Sequence, residues 1–449
     1  LWGDDRPPPP FAPAYHHDIS YSGRSSDDKI VFIAEKLAET DADAIVLNEM
    51  DAIAWAFNIR GGDTAHTPLV QSFAIILATA EAHLFADIAK FDQESIDQLG
   101  KLTTLQDMPR FADELDQLGQ DKSKVSLDKN SSTDWILTRL KKAGAEIIYK
   151  EDPTKLGRAI KNDTEIAGAH AAHQRDALAM IRFLKWLDET SRTQSLTEIE
   201  VADKLEASRT EHEMFRDLSF ATIAGAGPHA AIVHYHATKE GNRELDQNSL
   251  LLLDSGAQYP DGTTDITRTL PIGEPTDDMR KHFTLVLKGH IAIATSRFPK
   301  GTSGGQMDAL ARQHLWRAGL NYDHGTGHGV GSYLGVHEGP HRLASGSTVP
   351  FEAGMILSNE PGFYLQDNYG IRIENLVVVR ESERAENFLE FEQLTVVPID
   401  RRLIDVSLLD DPERQWIDDY HNLVYETARP HLEEDVREWL ASMCAPLQQ

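Results

Sequence analysis

The sequence predicts a chain of mixed α and β structure, with an α/β domain first and a larger α+β domain after it. Apolar runs alternate with helical patterns from residue 27 to about residue 169, which is typical of α/β structure. Beyond that region, glycines, histidines and short apolar runs accompany two more long helical patterns, at about 277–296 and 306–318. The length of 449 residues also exceeds what one hydrophobic core usually supports, so two or more domains are expected.

The first domain is expected to span residues 25–170. Prolines at positions 7–10 predict a stiff polyproline segment, so residues 1–24 are interpreted as a linker. A helical pattern at Ile30, Ile33 and Leu37 then leads into the chain. Strands are predicted at 44–47, 73–78, 83–87 and 146–149, and helices at 111–118 and 132–143.

The second domain is expected to span residues 171–400, because residues suited to metal chemistry concentrate between His234 and Glu374. It opens with a long helical pattern, and Ser195 with Glu198 predicts a capping box for the next helix. Residues 401–449 are expected to form a helical extension that packs back or pairs subunits. Trp416, Tyr420, Leu423 and Leu432 recur there at roughly helical intervals.

Composition excludes several classes of partner. The 72 acidic and 44 basic residues give a formal charge of -28, which repels nucleic acid and anionic lipid, so neither is expected to bind. Cys444 is the only cysteine, so no intrachain disulfide or thiolate zinc site can form. No run approaches about 18 apolar residues and no signal peptide is recognisable, which predicts a cytoplasmic protein.

Two aspartates eleven positions apart are the first candidate metal ligands. Asp254 follows the apolar run 250–253, and Asp265 follows the turn-rich residues 261–264. A hairpin between them would bring both carboxylates together. Asp261 precedes a glycine and is interpreted as a turn residue outside the site.

His328 lies among four glycines in residues 325–331, which allow the backbone to approach a cluster closely. A phosphate cradle is the competing interpretation, but the segment lacks the lysine of a P-loop and misses the dinucleotide-binding spacing.

Glu360 and Glu374 complete a set of four carboxylates and one imidazole, which a pair of divalent metals requires. Strand alternation would point Arg372 and Glu374 to the same face. A salt-bridged pair on a solvated sheet is the alternative. Oxygen ligands with one nitrogen suit manganese, cobalt or zinc.

These residues lie in segments that resemble a known family. Residues 220–225, 254–268, 324–340 and 358–375 resemble the cytosolic X-prolyl aminopeptidases, or aminopeptidase P, of the pita-bread metallopeptidase superfamily. Residues 5–7, 53–55 and 58–61 resemble the middle domain of the same family. The resemblance implies a pita-bread catalytic domain preceded by a creatinase-like α/β domain and followed by a helical extension. It also implies a homodimer and a further domain upstream of Leu1.

Carried over residue by residue, the resemblance implies two divalent metals, manganese first, with cobalt or zinc as alternatives. Asp254 would chelate one metal, His328 and Glu360 the other, and Asp265 and Glu374 would bridge them. A water activated by both metals would attack the peptide bond.

The resemblance also implies roles around the metals. Glu360 would act as general base. His337 would stabilise the tetrahedral intermediate, His234 would position the peptide and His324 would wall the proline pocket. Arg372 would orient a bridging carboxylate. The expected substrates are peptides with proline at the second position.

Three alternatives remain. A prolidase, which cleaves only Xaa-Pro dipeptides, has related ligands, but the C-terminal extension and residues 254–265 favour the aminopeptidase. A methionine aminopeptidase would leave the middle domain and the tail unexplained. A non-catalytic pita-bread module that binds peptides would lose metal ligands, whereas all five are present here.

Overall fold

The structure is a computed structural model that describes residues 5–447. The chain divides into two compact units, Leu1–Arg158 and Ala159–Gln449. The first four residues of the predicted linker and the last two of the predicted extension lie outside the described residues. The predicted segments 1–24, 25–170, 171–400 and 401–449 stay a prediction.

The first unit is built from short strands and helices. Its elements are β1 (Ala14–His16), α1 (Ile19–Ser22), α2 (Ser26–Ala38), β2 (Ala44–Leu47), α3 (Met50–Ala56), β3 (Ile59–Gly61), β4 (Ser72–Leu77), β5 (Ala82–Ala86), α4 (Gln93–Asp97), β6 (Thr103–Asp107), α5 (Arg110–Gln120), β7 (Lys124–Leu127), α6 (Asp134–Ala143), β8 (Glu146–Tyr149) and α7 (Thr154–Ala159), at which the unit ends.

A six-stranded mixed sheet, in the order β6-β5-β4-β2-β7-β8, forms the centre of the first unit. Central strands such as β2 are buried along their length because both faces are covered. The predicted strands at 44–47 and 146–149 are confirmed residue for residue. Helix α6 begins after Thr133, whose side chain caps it, and ends at Gly144 in the left-handed region.

The second unit contains the remaining elements. They are α8 (Asp163–Thr190), α9 (Glu198–Thr210), β9 (Asp217–Leu218), β10 (Ile223–Ala226), β11 (Ser249–Ser255), β12 (Ala257–Tyr259), β13 (Gly262–Thr263), β14 (Ile266–Ile272), α10 (Asp277–Ala294), β15 (Arg297–Pro299), α11 (Gly304–Arg317), β16 (Gly327–Gly329), β17 (Glu338–Leu343), β18 (Ile356–Asn359), β19 (Gly362–Leu365), β20 (Tyr369–Arg372), β21 (Asn375–Glu381), β22 (Phe388–Gln393), α12 (Asp411–Ala428) and α13 (Glu434–Met443).

Two sheets of the second unit position the candidate site. A six-stranded sheet has the order β15-β22-β21-β18-β16-β17, and a three-stranded sheet has the order β10-β11-β14. Strands β11 and β14 are buried at nearly every position, and residues from both join a large apolar core. The polar side chains that these strands bring inward therefore need partners.

The predicted capping box at Ser195 and Glu198 is wrong. Helix α9 begins at Glu198, and its capping box is formed by Thr197 and Glu200. Thr197 is the residue with extended backbone directly before the first helical turn, which is where a cap must sit. Ser195 instead donates to Glu244 at 3.0 Å. Glu198 takes no part in the capping box, and its side chain makes other contacts.

The predicted helical tail packs back onto the rest of the second unit. Ile417, Tyr420 and Val424 of α12 and Leu440 of α13 join the main apolar core, whereas Leu423 is exposed. The Tyr420 hydroxyl donates to the Val397 carbonyl at 2.7 Å. Within residues 5–447, none of the helices combines the length and the apolarity needed to cross a bilayer.

Candidate metal centre

The hairpin predicted between the two aspartates is present. Asp254 lies near the end of β11 and Asp265 directly precedes β14, and the two strands pair antiparallel with Asp254 opposite Thr267. Both carboxylates are buried, with 8% and 4% of the residue surface exposed. The strand pairing therefore brings two acidic side chains into one interior site.

His328 and Glu360 approach the aspartates from the six-stranded sheet. His328 lies on β16, and Glu360 directly follows β18, which pairs with β16. The Ser358 hydroxyl joins the two residues, because it accepts from the His328 backbone N–H at 3.0 Å and donates to Glu360 Oε1 at 3.1 Å. Glu360 is also held by its own N–H, which donates to the Thr326 carbonyl at 2.8 Å.

The predicted ligands converge. One ligand atom each from Asp265, His328 and Glu374 all lie within 4.8 Å of one another. His328 Nε2 is 3.5 Å from Asp265 Oδ2 and 3.4 Å from Glu360 Oε1. These distances gather four of the five side chains, and Arg372 connects the fifth, Asp254, to them.

Arg372 is the cation that organises the cluster. Its side chain is 1% exposed, and Nη2 donates to Asp254 Oδ2 at 2.6 Å. It reaches Glu374 through Thr267, because Nε donates to Thr267 Oγ1 at 3.1 Å and that hydroxyl donates to Glu374 Oε2 at 2.7 Å. Glu374 is likewise 1% exposed, so the alternative of a pair on a solvated sheet is wrong.

Three polar residues that hydrogen-bond to side chains of the site were not predicted from the sequence: Ser358, Thr267 and Tyr364. Ser358 lies two residues before Glu360 and Thr267 two after Asp265, so strand alternation could have identified both. Tyr364 OH accepts from Arg372 Nη1 at 2.7 Å and lies 2.8 Å from His324 Nε2. Tyr364 could not have been identified from strand alternation, because only the tertiary fold places its strand, β19, beside Arg372 and His324.

Burial and mutual repulsion shape the protonation of the carboxylates. Burial, together with the charges of Asp254 and Glu360, raises the pKa of Asp265 well above its usual range. Burial, Asp265 and Glu360 do the same to the pKa of Glu374. Burial also acts to raise the pKa of Glu360, but His328, His324 and Arg372 outweigh it and leave that pKa lowered. The site therefore gathers more carboxyl groups than its own cations can keep ionised.

These side chains fit a pair of divalent cations. Within residues 5–447, neither Asp254 Oδ1 nor Asp265 Oδ1 has a hydrogen-bond partner, although both atoms are buried. A buried carboxylate oxygen without a donor is costly unless a cation meets it. The donor set of carboxylate oxygens and one imidazole nitrogen suits manganese, cobalt or zinc.

Three further histidines surround the cluster. The His337 ring lies 4.2 Å, centroid to centroid, from that of His328. His337 is exposed as a residue, but desolvation of its ring, with the charges of His328 and then of His234, lowers its pKa to about 4, which leaves the ring neutral at pH 7. His234 is exposed and lies near enough to His337 to influence that pKa. His324 is partly buried between Tyr322 and Tyr364, and burial lowers its pKa.

Asp261 is engaged elsewhere, as its interpretation outside the site requires. Its two carboxylate oxygens accept from Arg175 Nη1 and Nη2 at 3.0 and 2.9 Å. This bidentate pair fixes the turn before β13.

Comparison with known families matches each part of the chain. Residues 167–381 match metallopeptidase family M24, residues 5–165 match the creatinase/prolidase N-terminal domain, and residues 387–447 match the C-terminal region of peptidase M24. The predicted order of a creatinase-like domain, a pita-bread catalytic domain and a C-terminal region is therefore confirmed. The fold and the carboxylate–histidine cluster define a metallopeptidase of this class.

Individual relatives narrow the class. A probable Xaa-Pro aminopeptidase P of Laccaria bicolor is 42% identical over 100% of this chain and 71% of its own length. The crystal structure of a Caenorhabditis elegans X-prolyl aminopeptidase, described as a cytosolic enzyme with a di-nuclear active site, superposes with a TM-score of 0.94 at 36% identity, covering 99% of this chain and 75% of the other. A Bacillus anthracis Xaa-Pro dipeptidase gives a TM-score of 0.68 at 25% identity, covering 84% of this chain and 99% of its own. The chain belongs to the X-prolyl aminopeptidase, or aminopeptidase P, family.

Proposed function

We propose that this protein is a metalloaminopeptidase that releases the N-terminal residue from peptides with proline at the second position. The observation that carries the proposal is the buried cluster of Asp254, Asp265, His328, Glu360 and Glu374, in a chain of this family. The matched C-terminal region and the higher TM-score to the aminopeptidase favour this activity over that of a prolidase.

The five side chains would hold two divalent ions, with manganese as the proposed metal and cobalt or zinc as alternatives. Asp254 would bind one ion, His328 and Glu360 the other, and Asp265 and Glu374 both. When bound, the metal pair would make a water more acidic and polarise the scissile carbonyl. Arg372 keeps Asp254 in place through its direct ion pair, and it aligns Glu374 through Thr267.

Glu360 is the proposed general base. Its lowered pKa keeps the carboxylate ionised at neutral pH, so it can accept a proton from the attacking water. Ser358 holds one carboxylate oxygen at 3.1 Å and thereby limits its rotation. Glu360 would then return the proton to the proline nitrogen, which leaves as an amine.

The histidines would handle the substrate. His337, neutral at pH 7, can donate one N–H to the oxygen that becomes negative in the tetrahedral intermediate. His234, exposed nearby, would position the peptide beside the scissile bond. His324 would wall the proline pocket, with its ring oriented by the Tyr364 hydroxyl at 2.8 Å.

Proline at the second position explains the need for a dedicated enzyme. The X-Pro bond is a tertiary amide without an N–H. Peptidases that hydrogen-bond that N–H bind such substrates poorly. A pocket that contacts the ring replaces the missing hydrogen bond.

A peptide panel tests the activity. We expect the metal-loaded chain to cleave Xaa-Pro-Yaa tripeptides and longer peptides and to release free Xaa, with Xaa-Ala-Yaa peptides as the negative control. Chromatographic detection of the released residue is the measurement. Cleavage confined to Xaa-Pro dipeptides would establish a prolidase, and binding without cleavage at any metal concentration would favour the non-catalytic module.

Metal content tests the ligand assignment. Elemental analysis after equilibration with manganese is expected to find two ions per chain, about one in Asp254→Asn, and fewer than one in Asp265→Asn, because Asp265 would serve both ions. Asp261→Asn is the matched control, since that carboxylate binds Arg175, and it should retain two ions. A wild-type chain that binds none of manganese, cobalt or zinc would contradict the proposal.

We also propose that the enzyme is a cytoplasmic homodimer, as the family resemblance implies. Light scattering coupled to gel filtration measures the mass directly. A single-chain mass near 50.1 kDa at micromolar concentration would contradict the dimer.

A further inference from the structure

Glu198 is a buried acidic residue that the proposed mechanism does not use. It lies in the first turn of α9, and its side chain is 0% exposed. Four groups converge on its carboxylate: the backbone N–H of Ala226 at 2.8 Å, His229 Nδ1 at 2.9 Å, the Tyr235 hydroxyl at 2.8 Å and the backbone N–H of Arg243 at 3.1 Å. The two backbone N–H groups and the Tyr235 hydroxyl donate to it, so at least three hydrogen bonds fix this buried side chain.

Three of these four groups belong to, or adjoin, residues 227–236, which we call the His234 segment. It begins with the 3-10 helix Gly227–Ala231 and continues through the exposed His234. Glu198 holds it at both ends, since Ala226 and His229 precede His234 while Tyr235 follows it directly. The rings of His229 and Tyr235 also pack together, with centroids 4.4 Å apart.

The opposite side of the His234 segment rests on the metal centre. A methyl group built on Gly370 of β20 would lie 1.7 Å from the Ala230 carbonyl oxygen, so the two backbones are in direct contact. Arg372, on the same strand, donates to the Val233 carbonyl at 3.4 Å and to Asp254 at 2.6 Å. The segment is therefore fixed between a buried carboxylate and the arginine of the cluster.

We propose that Glu198 is a positioning residue that fixes His234 against the bound peptide, acting through Tyr235 and His229. The proposal rests on the proposed function, in which His234 contacts substrate. Tyr235→Phe is the cleanest probe, because it removes one hydroxyl and leaves the ring packing. Glu198→Gln, which keeps the size but not the charge, is the second variant.

The first measurement is steady-state cleavage of an Xaa-Pro-Yaa peptide by the metal-loaded full chain. One lost hydrogen bond predicts that Tyr235→Phe lowers kcat/KM about 5- to 10-fold, mainly through a higher KM, with metal content unchanged. In a His234→Ala background the same change should alter kcat/KM less than about twofold, because the residue being positioned is gone. An equal loss in both backgrounds would overturn the proposal, since it would indicate a general structural effect. Glu206→Gln, at an exposed position of the same helix away from its capping box, is the control that should match wild type.

The second measurement does not depend on activity. Amide hydrogen exchange across residues 227–236 is expected to accelerate about 5- to 10-fold in Tyr235→Phe and Glu198→Gln, and to stay unchanged in Glu206→Gln. Unchanged exchange in both variants would overturn the anchoring role. If the wild-type chain failed to cleave any peptide, the proposed function would fail while this measurement still decided whether Glu198 holds the segment.

Discussion

Replacing Glu360 with glutamine is expected to lower kcat about 10²- to 10⁴-fold, the range that general acid–base catalysis contributes. Glutamine keeps the size and can still accept from the Ser358 hydroxyl, but it cannot take a proton from water. Because Glu360 is also a proposed metal ligand, kcat should be measured on an Xaa-Pro-Yaa peptide at manganese concentrations that restore full metal occupancy.

The matched control is Glu352→Gln, eight residues earlier in the chain and exposed. It changes the net charge by the same amount and should leave kcat within twofold of wild type. A Glu360→Gln enzyme with full metal content and kcat within tenfold of wild type would show that another group accepts the proton.

The second large effect concerns stability. Arg209 of α9 is 0% exposed and binds both carboxylate oxygens of Asp176 of α8, at 2.8 and 3.0 Å. Replacing Arg209 with leucine leaves the Asp176 charge buried, with the Tyr259 hydroxyl at 3.0 Å as a remaining donor. We expect the free energy of unfolding to fall by about 3–5 kcal/mol, as measured by denaturant titration of the metal-free chain.

Two variants separate charge burial from simple loss of an arginine. Arg182→Leu on α8, the helix that carries Asp176, breaks an exposed ion pair with Glu433, and it should cost at most about 1 kcal/mol. The double variant Asp176→Leu/Arg209→Leu removes both charges and should recover part of the lost stability. A double variant less stable than Arg209→Leu would contradict this explanation.

Local elements were largely predictable because their signals are local. Strands at 44–47 and 146–149 are defined by short apolar runs with turn residues on either side. The N-cap residue of α9 was not predictable, because Ser195 and Thr197 are both suitable capping residues. Which of these two residues has the extended backbone of an N-cap depends on where tertiary packing allows the helix to begin.

The proposed ligand residues were also predictable from the sequence. Asp254 and Asp265 flank a recognisable hairpin, and His328, Glu360 and Glu374 lie in segments that match a family motif. That such a set suits divalent metals follows from the chemistry of carboxylates and imidazole. This chemistry can be predicted without a structure.

The connections between the proposed ligands could be recognised only in the folded chain. The Tyr364 hydroxyl contacts both Arg372 and His324. Thr267 is hydrogen-bonded to both Arg372 and Glu374. Glu198 holds the segment around His234 through Tyr235. These partners are far apart along the chain, and each contact exists because sheets and helices place them side by side. The linear order of residues therefore specified the aspartate pair and its chemistry, while long-range packing set how those carboxylates are charged, oriented and surrounded.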